Sequence, residues 1–263
     1  MPGEEVGAIV ENGVLVEKAI ADLYALFDDS AFVWYGMSSE SGYPISGPCE
    51  SFGNEVVPVD ELPVEIEGVV TLHPRFFQKT SWCGEDERYY GSYTLEDETG
   101  GILVLKDSRI ADFTYGDRVK LKVYGLLKYF DTYAVVTHTD EEVVSRGNDV
   151  YYEELPDDQE LISDDVARTF RWTGEVAVEP SNSNFNEICM VEKGGDYTAC
   201  DPRCVASDMC GGSWLVSIDR ELGQRDPMPI HQGQILQVTG PVVNSFGLRF
   251  LVARLGQLQL IDE

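Results

Sequence analysis

Four of the six cysteines, Cys189, Cys200, Cys204 and Cys210, fall in one loop with the spacing C-x10-C-x3-C-x5-C. Thiols at that density either pair as disulfides or hold Zn²⁺ tetrahedrally. The paired C-x2-C knuckles of structural zinc sites are absent, so disulfides are the favoured expectation and a zinc loop the alternative. Cys49 and Cys83 could then form a further pair. No C-x-x-C-H motif is present, which leaves covalent haem without support. Disulfides imply an oxidising compartment. Met1 is followed by neither a basic nor an apolar leader segment, so the expectation is an extracellular or periplasmic protein whose signal peptide has been removed. A cytoplasmic location stays open.

Other chemistry finds little purchase. His73, His138 and His231 share no metal-ligand spacing. No G-x-S-x-G, P-loop, G-x-G-x-x-G or EF-hand pattern occurs. The stretch DDQELISDD is acidic but lacks the alternating ligands and loop glycine of a Ca²⁺ site. We therefore expect a protein that is not an enzyme and carries no cofactor and no metal.

The elements that would carry a binding surface are mostly strands. Val64, Ile66, Gly68 and Val70 alternate with Glu65, Glu67 and Val69, the period of a half-buried strand. Tyr93–Glu96 and Ile102–Leu105 flank the turn Asp97-Glu98-Thr99-Gly100-Gly101. Val119, Leu121 and Val123 alternate with Lys120, Lys122 and Tyr124, and Tyr133–Val136 supplies a fifth strand. Upstream, Val16, Ile20, Leu23 and Phe27 form a one-sided stripe that predicts a helix over 14–27.

The segments YTLEDETGGILVL and YGDRVKLKVYGLL resemble the OB-fold module of the nucleic-acid-binding type. That resemblance implies a five-stranded barrel over about 64–144. Asp97 and the glycines after it would make a tight hairpin, and Gly68 and Gly125 would sit where strands bend. A fainter echo follows over about 170–256. Trp172-Thr-Gly-Glu-Val-Ala-Val matches the first strand with Gly174 in the place of Gly68, and MPIHQGQILQVTGPVV matches the fourth with Gly233 before it. The cysteine loop replaces the Asp-x-Thr-Gly turn. The expected fold class is mainly β, two tandem OB-like barrels with an N-terminal helix-containing extension. The boundaries read as extension 1–63, barrel 64–144, acidic linker 145–169 with a short helix near 158–168, and barrel 170–263.

The resemblance also implies a ligand face. Phe76, Phe77, Trp82, Tyr89, Tyr90, Tyr129, Phe130 and Tyr133 fall in the strands and loops that line it in the family, and aromatics there stack on bases or sugars. Charge speaks against bases. The chain holds 19 Lys+Arg against 47 Asp+Glu, a formal net charge of −28, and such a field repels phosphate. The leading expectation is thus a secreted or envelope binding and assembly protein, with a protein partner or self-association through the arm around GAIVENGVLVE and nucleic acid disfavoured. A single-stranded nucleic-acid binder and a glycan binder are the alternatives. No apolar run is long enough to span a membrane.

Overall fold

The computed structural model describes residues 10–11, 14–15, 17–26, 33–35, 56–58, 62–72, 93–104, 112–129, 132–138, 141–157, 159–180, 187–200, 215–219, 222, 229–244 and 247–261. It divides into two compact units, Met1–Val150 and Tyr151–Glu263. Among the described residues no helix is long and apolar enough to cross a membrane.

The first unit opens with a small antiparallel pair, β1 (Val10–Glu11) and β2 (Val14–Leu15), and a one-and-a-half-turn helix α1 (Ile20–Tyr24). The helix expected over 14–27 is therefore much shorter. Val14 and Leu15 pair as strand instead, because β-branched and apolar residues can satisfy their backbone against a neighbouring strand. Next come β3 (Val33–Tyr35) and β4 (Val56–Pro58), which extend the sheet along one side. The barrel consists of β5 (Val64–Leu72), β6 (Tyr93–Glu96), β7 (Gly101–Val104), β8 (Arg118–Tyr129) and β9 (Thr132–His138). β5 pairs β6, β6 pairs β7, β7 pairs β9 in parallel, β9 pairs β8, and β8 returns to β5. That closed order, with one parallel pairing, is the OB barrel.

Alternation decides which side chains fill it. Val64, Ile66, Val70, Tyr93, Leu95, Ile102, Val104, Val119, Leu121, Val123, Leu126 and Val135 are all buried in one core. Each such side chain is worth about 1.5–3 kcal/mol when withdrawn from water. Ile20 and Leu23 of α1 join the same cluster. β10 (Glu142–Ser145) then pairs the start of β8.

The second unit repeats the plan. β11 (Glu153–Glu154) precedes β12 (Thr169–Val178), β13 (Glu187–Val191), β14 (Leu215–Ile218), β15 (Ile235–Asn244), β16 (Leu248–Val252) and β17 (Leu258–Leu260). β12, β13, β14, β16 and β15 close in the same order, with β14 and β16 parallel. β11 and β17 are additions. The expected helix near 158–168 is a single 3₁₀ turn, Ser163–Asp165. Residues Leu155, Leu161, Val166 and Ala167 from the stretch expected as an acidic linker are buried in the second core. Its earlier residues Arg146, Gly147 and Asn148 bond to Asp117 and Gly116 of the first unit.

The two barrels agree in detail where the sequences agree only faintly. In each, the first strand bulges at one point, after Val70 and after Val176. A Cβ on Gly68 would lie 2.8 Å from the carbonyl oxygen of Glu96, and one on Gly174 would lie 2.7 Å from that of Val191. Gly116 N–H donates to Val70 O at 2.9 Å while Val70 N–H donates to Asp117 O at 2.9 Å. Gly233 N–H donates to Val176 O at 2.9 Å while Val176 N–H donates to Gln234 O at 2.9 Å. Gly116 and Gly233 both hold positive φ, +81° and +88°, which only glycine adopts without strain. Gln234 replaces Asp117 and still takes its role: Asp117 Oδ2 accepts from Thr114 N–H at 3.1 Å, Gln234 Oε1 from His231 N–H at 2.8 Å.

Candidate functional site

The Asp97-Glu98-Thr99-Gly100 turn does more than reverse the chain. Asp97 Oδ1 accepts from Thr99 N–H at 2.7 Å, from the Thr99 hydroxyl at 2.6 Å and from Gly100 N–H at 3.0 Å. Its other oxygen, Oδ2, accepts from Ile20 N–H at 2.7 Å, and Thr99 Oγ1 accepts from Ala21 N–H at 3.0 Å. Helix α1 has no side-chain cap of its own. The hairpin thus caps, from 77 residues away, amides that begin the helix. Tyr24 completes the seat: its hydroxyl donates to Gly101 O, and its ring stacks on Tyr133 with centroids 4.4 Å apart.

That contact settles one member of the expected aromatic face. Tyr133 packs against the arm of its own chain. Tyr129 lies at the end of β8, paired with Thr132. Phe76, Phe77, Trp82, Tyr89, Tyr90 and Phe130 lie outside the described residues. On the strands that form the ligand face in the OB family, the second and third, the outward positions in the first barrel are buried. Thr71 and Thr94 share a hydrogen bond of 2.8 Å, and Glu96 and Leu103 are buried beside them.

In the second barrel the same face is covered by the described start of the cysteine loop, through Tyr197 and Cys200. Cys189, on the outer side of β13, is disulfide-bonded to Cys200. Ala177, Cys189, Val191, Cys200 and Leu215 form a separate buried cluster, with Tyr197 packed against it. The Tyr197 hydroxyl donates to Glu175, whose Oε2 accepts from Gly194 N–H at 2.9 Å. These bonds hold the Glu175 carboxyl below the usual glutamate range and push the Tyr197 phenol up. Of the six cysteines, Cys189 and Cys200 are therefore paired, which removes both as zinc ligands. Cys49, Cys83, Cys204 and Cys210 lie outside the described residues. Among the described residues no cluster of three or more His, Cys, Asp or Glu could hold a metal ion.

A partly exposed polar face lies on the first and fourth strands of the second barrel. Arg171 and Thr173 of β12 lie opposite Thr239 and Gln237 of β15, and Gln237 lies opposite Gln259 of β17. Arg171 Nε donates to Thr239 Oγ1 at 3.1 Å, and Gln237 Nε2 to Thr173 Oγ1 at 3.2 Å. The Arg171 guanidinium lies 3.7 Å from the centroid of the Tyr152 ring, and that of Arg168 lies 5.4 Å from Phe170. Chemically this is a row of hydrogen-bonding side chains flanked by the Arg171 guanidinium and the Tyr152 ring, side-chain types that hold phosphates and stack on flat ligands. Periodicity placed β12 and β15, but nothing in the sequence marked Tyr152 or Arg171. Tyr152 sits in a stretch whose acidity hides it.

Comparison with solved structures finds chains that align along most of this one. The tetrameric p202 HIN2 aligns at 12% identity over 76% of this chain and 92% of that one, with a TM-score of 0.32. Fission yeast Pot1, solved with ssDNA, aligns at 10% identity over 76% and 84%, TM-score 0.33. A deletion mutant of the single-stranded DNA binding protein from Thermus aquaticus aligns at 13% identity over 77% and 95%, TM-score 0.25. No protein-family model matches the chain, and no curated protein matches it. The expectation that nucleic acid is disfavoured as a partner is corrected here, since two of these similar chains are named for single-stranded DNA. A charge of −28 summed over the chain does not describe a local face.

Proposed function

We propose that this chain is a binding protein for single-stranded nucleic acid, built on two tandem OB barrels. The observation that supports it most is the partly exposed polar face of the second barrel. Arg171 stacked on Tyr152 sets a guanidinium and an aromatic ring beside strands that also present Thr173, Gln237, Thr239 and Gln259. Phosphate would be held by the Arg171 guanidinium and bases by stacking, which tolerates sequence variation because every base has a π face. Binding would weaken with salt in proportion to the few cations engaged.

Fluorescence anisotropy with a labelled oligothymidylate, titrated at low salt and repeated with duplex DNA, tests this. Micromolar or tighter binding that prefers the single strand is expected, and it should weaken in an R171Q variant. Absence of binding at low salt overturns the proposal.

A second reading concerns location. The Cys189–Cys200 disulfide supports an oxidising compartment, extracellular or periplasmic. Mass spectrometry of the protein alkylated in its native source with and without reduction tests it; a fully reduced pool there would rule it out.

A further inference from the structure

The outward residues of β12 form one row. Arg171, Thr173 and Glu175 alternate with the buried Trp172 and Gly174, so their side chains stand on the same face of the strand. β15 sets Thr239, Gln237 and Ile235 opposite them in that order. At one end Tyr152 lies against the Arg171 guanidinium, with Glu154 3.7 Å away. The other end also carries a tyrosine and a cation. The Tyr197 hydroxyl donates to Glu175, and it stands 3.9 Å from where a Cβ on Gly233, just before β15, would lie. Tyr197 is thus placed where the covered face of the barrel stops and the polar row begins. Glu175, the one carboxylate of the row, is held by that hydroxyl and by the Gly194 amide, and the charge of Lys193 offsets its own. Tyr152 and Tyr197 are both half-buried, so each keeps some of its surface in solvent.

We propose that Tyr152 and Tyr197 are the two stacking platforms of one single-strand site, joined by the uncharged row of Thr173, Gln237 and Thr239. This rests on the single-strand-binding reading and assigns a second ring to the same face. Arg171 and Glu175 are four residues apart on an extended strand, about 13 Å. A stacked single strand advances about 3.4 Å per nucleotide, so about four nucleotides bridge the two ends. The bases at the ends lie on the rings, where stacking is tolerant of sequence. Between them, Arg171 Nε and Gln237 Nε2 are engaged by Thr239 and Thr173. The row then offers a ligand the threonine hydroxyl hydrogens and the Gln237 carbonyl oxygen. Such a site holds its ligand by stacking and neutral hydrogen bonds, with Arg171 the one cation of the row.

The test is photocross-linking of the wild-type protein to a thymidylate hexamer that carries 5-iodouracil at its first or its last position. Linked residues are identified by tandem mass spectrometry. One label is expected on Tyr152 and the other on Tyr197. In anisotropy titrations with the same hexamer, Y197A is expected to bind at least about fivefold more weakly, while Y197F, which keeps the ring, stays close to wild type. Links to Tyr152 from both labels, or links confined to residues outside the row, overturn the two-platform site and leave the binding reading standing. Y197F as weak as Y197A also overturns it, because the hydroxyl's hold on Glu175 would then carry the effect. If wild type does not bind the hexamer at low salt, both fall.

Discussion

Asp97 accepts the backbone N–H of Ile20, 77 residues earlier in the chain, at 2.7 Å. The same carboxylate organises its own turn through Thr99 and Gly100. One side chain therefore does two jobs: it shapes the β6–β7 hairpin and it seats the helix that closes the core with Ile20 and Leu23.

Replacing Asp97 by Ala should remove the acceptor for Ile20 and for the turn amides together. A loss of about 1–3 kcal/mol in the first unit is expected, with faster amide exchange at Ile20 and Ala21. Urea unfolding and hydrogen exchange by NMR measure the two. Unchanged exchange at Ile20 would show that the seat does not depend on this carboxylate.

Gly68→Ala and Gly174→Ala probe the shared barrel bend. In both, the new Cβ meets a backbone carbonyl oxygen closer than real contacts allow, and backbone yields less readily than a side-chain tip. Each substitution should cost its own unit about 1–3 kcal/mol. Amide exchange mapped along the chain tells which unit is weakened; parallel losses in the two variants would show that the repeat extends to energetics.

Cys189 and Cys200 are 11 residues apart, and closing a loop of that length limits the unfolded chain by about 2–3 kcal/mol. C189S/C200S should lower the melting temperature of the second unit, measured by calorimetry. The loop carrying Tyr197 should become accessible to protease, while the barrel strands remain protected.

The Glu175–Tyr197 contact predicts a pH response confined to that loop. Glu175 has its pKa lowered by the Tyr197 hydroxyl and the Gly194 amide, so its contribution is present above the ordinary glutamate pKa. It is lost as pH falls through the depressed folded value. Tyr197 is shifted upward by the same bond; its contribution is present below the ordinary tyrosine pKa and lost as pH rises through the raised one. Between those limits the Gly194 amide should exchange slowly, and E175Q should flatten the acid limb. An acid limb that persists in E175Q would assign it to another group.

How much of this was legible depended on whether a residue's role was local. Gly68 and Gly174, Gly116 and Gly233, and the alternation of β5 and β8 each report a backbone requirement that the residue meets by itself. The first barrel, and the second by analogy, could therefore be read directly. The stretch 145–169 was harder. Its acids mask Leu155, Leu161 and Val166, whose burial needs partners from β12 and β15 that no window of sequence contains.

Alternation determined the main strands, and the resemblance carried by YTLEDETGGILVL and YGDRVKLKVYGLL implied the barrels and the Asp97 turn, because alternation and turn residues are properties of short segments. Only the tertiary structure decided that Asp97 caps Ile20, that Cys189 takes Cys200, and that Arg171 meets Tyr152 and Glu154. Those pairings join segments brought together by barrel closure, and closure is set by the whole pattern of strand pairing.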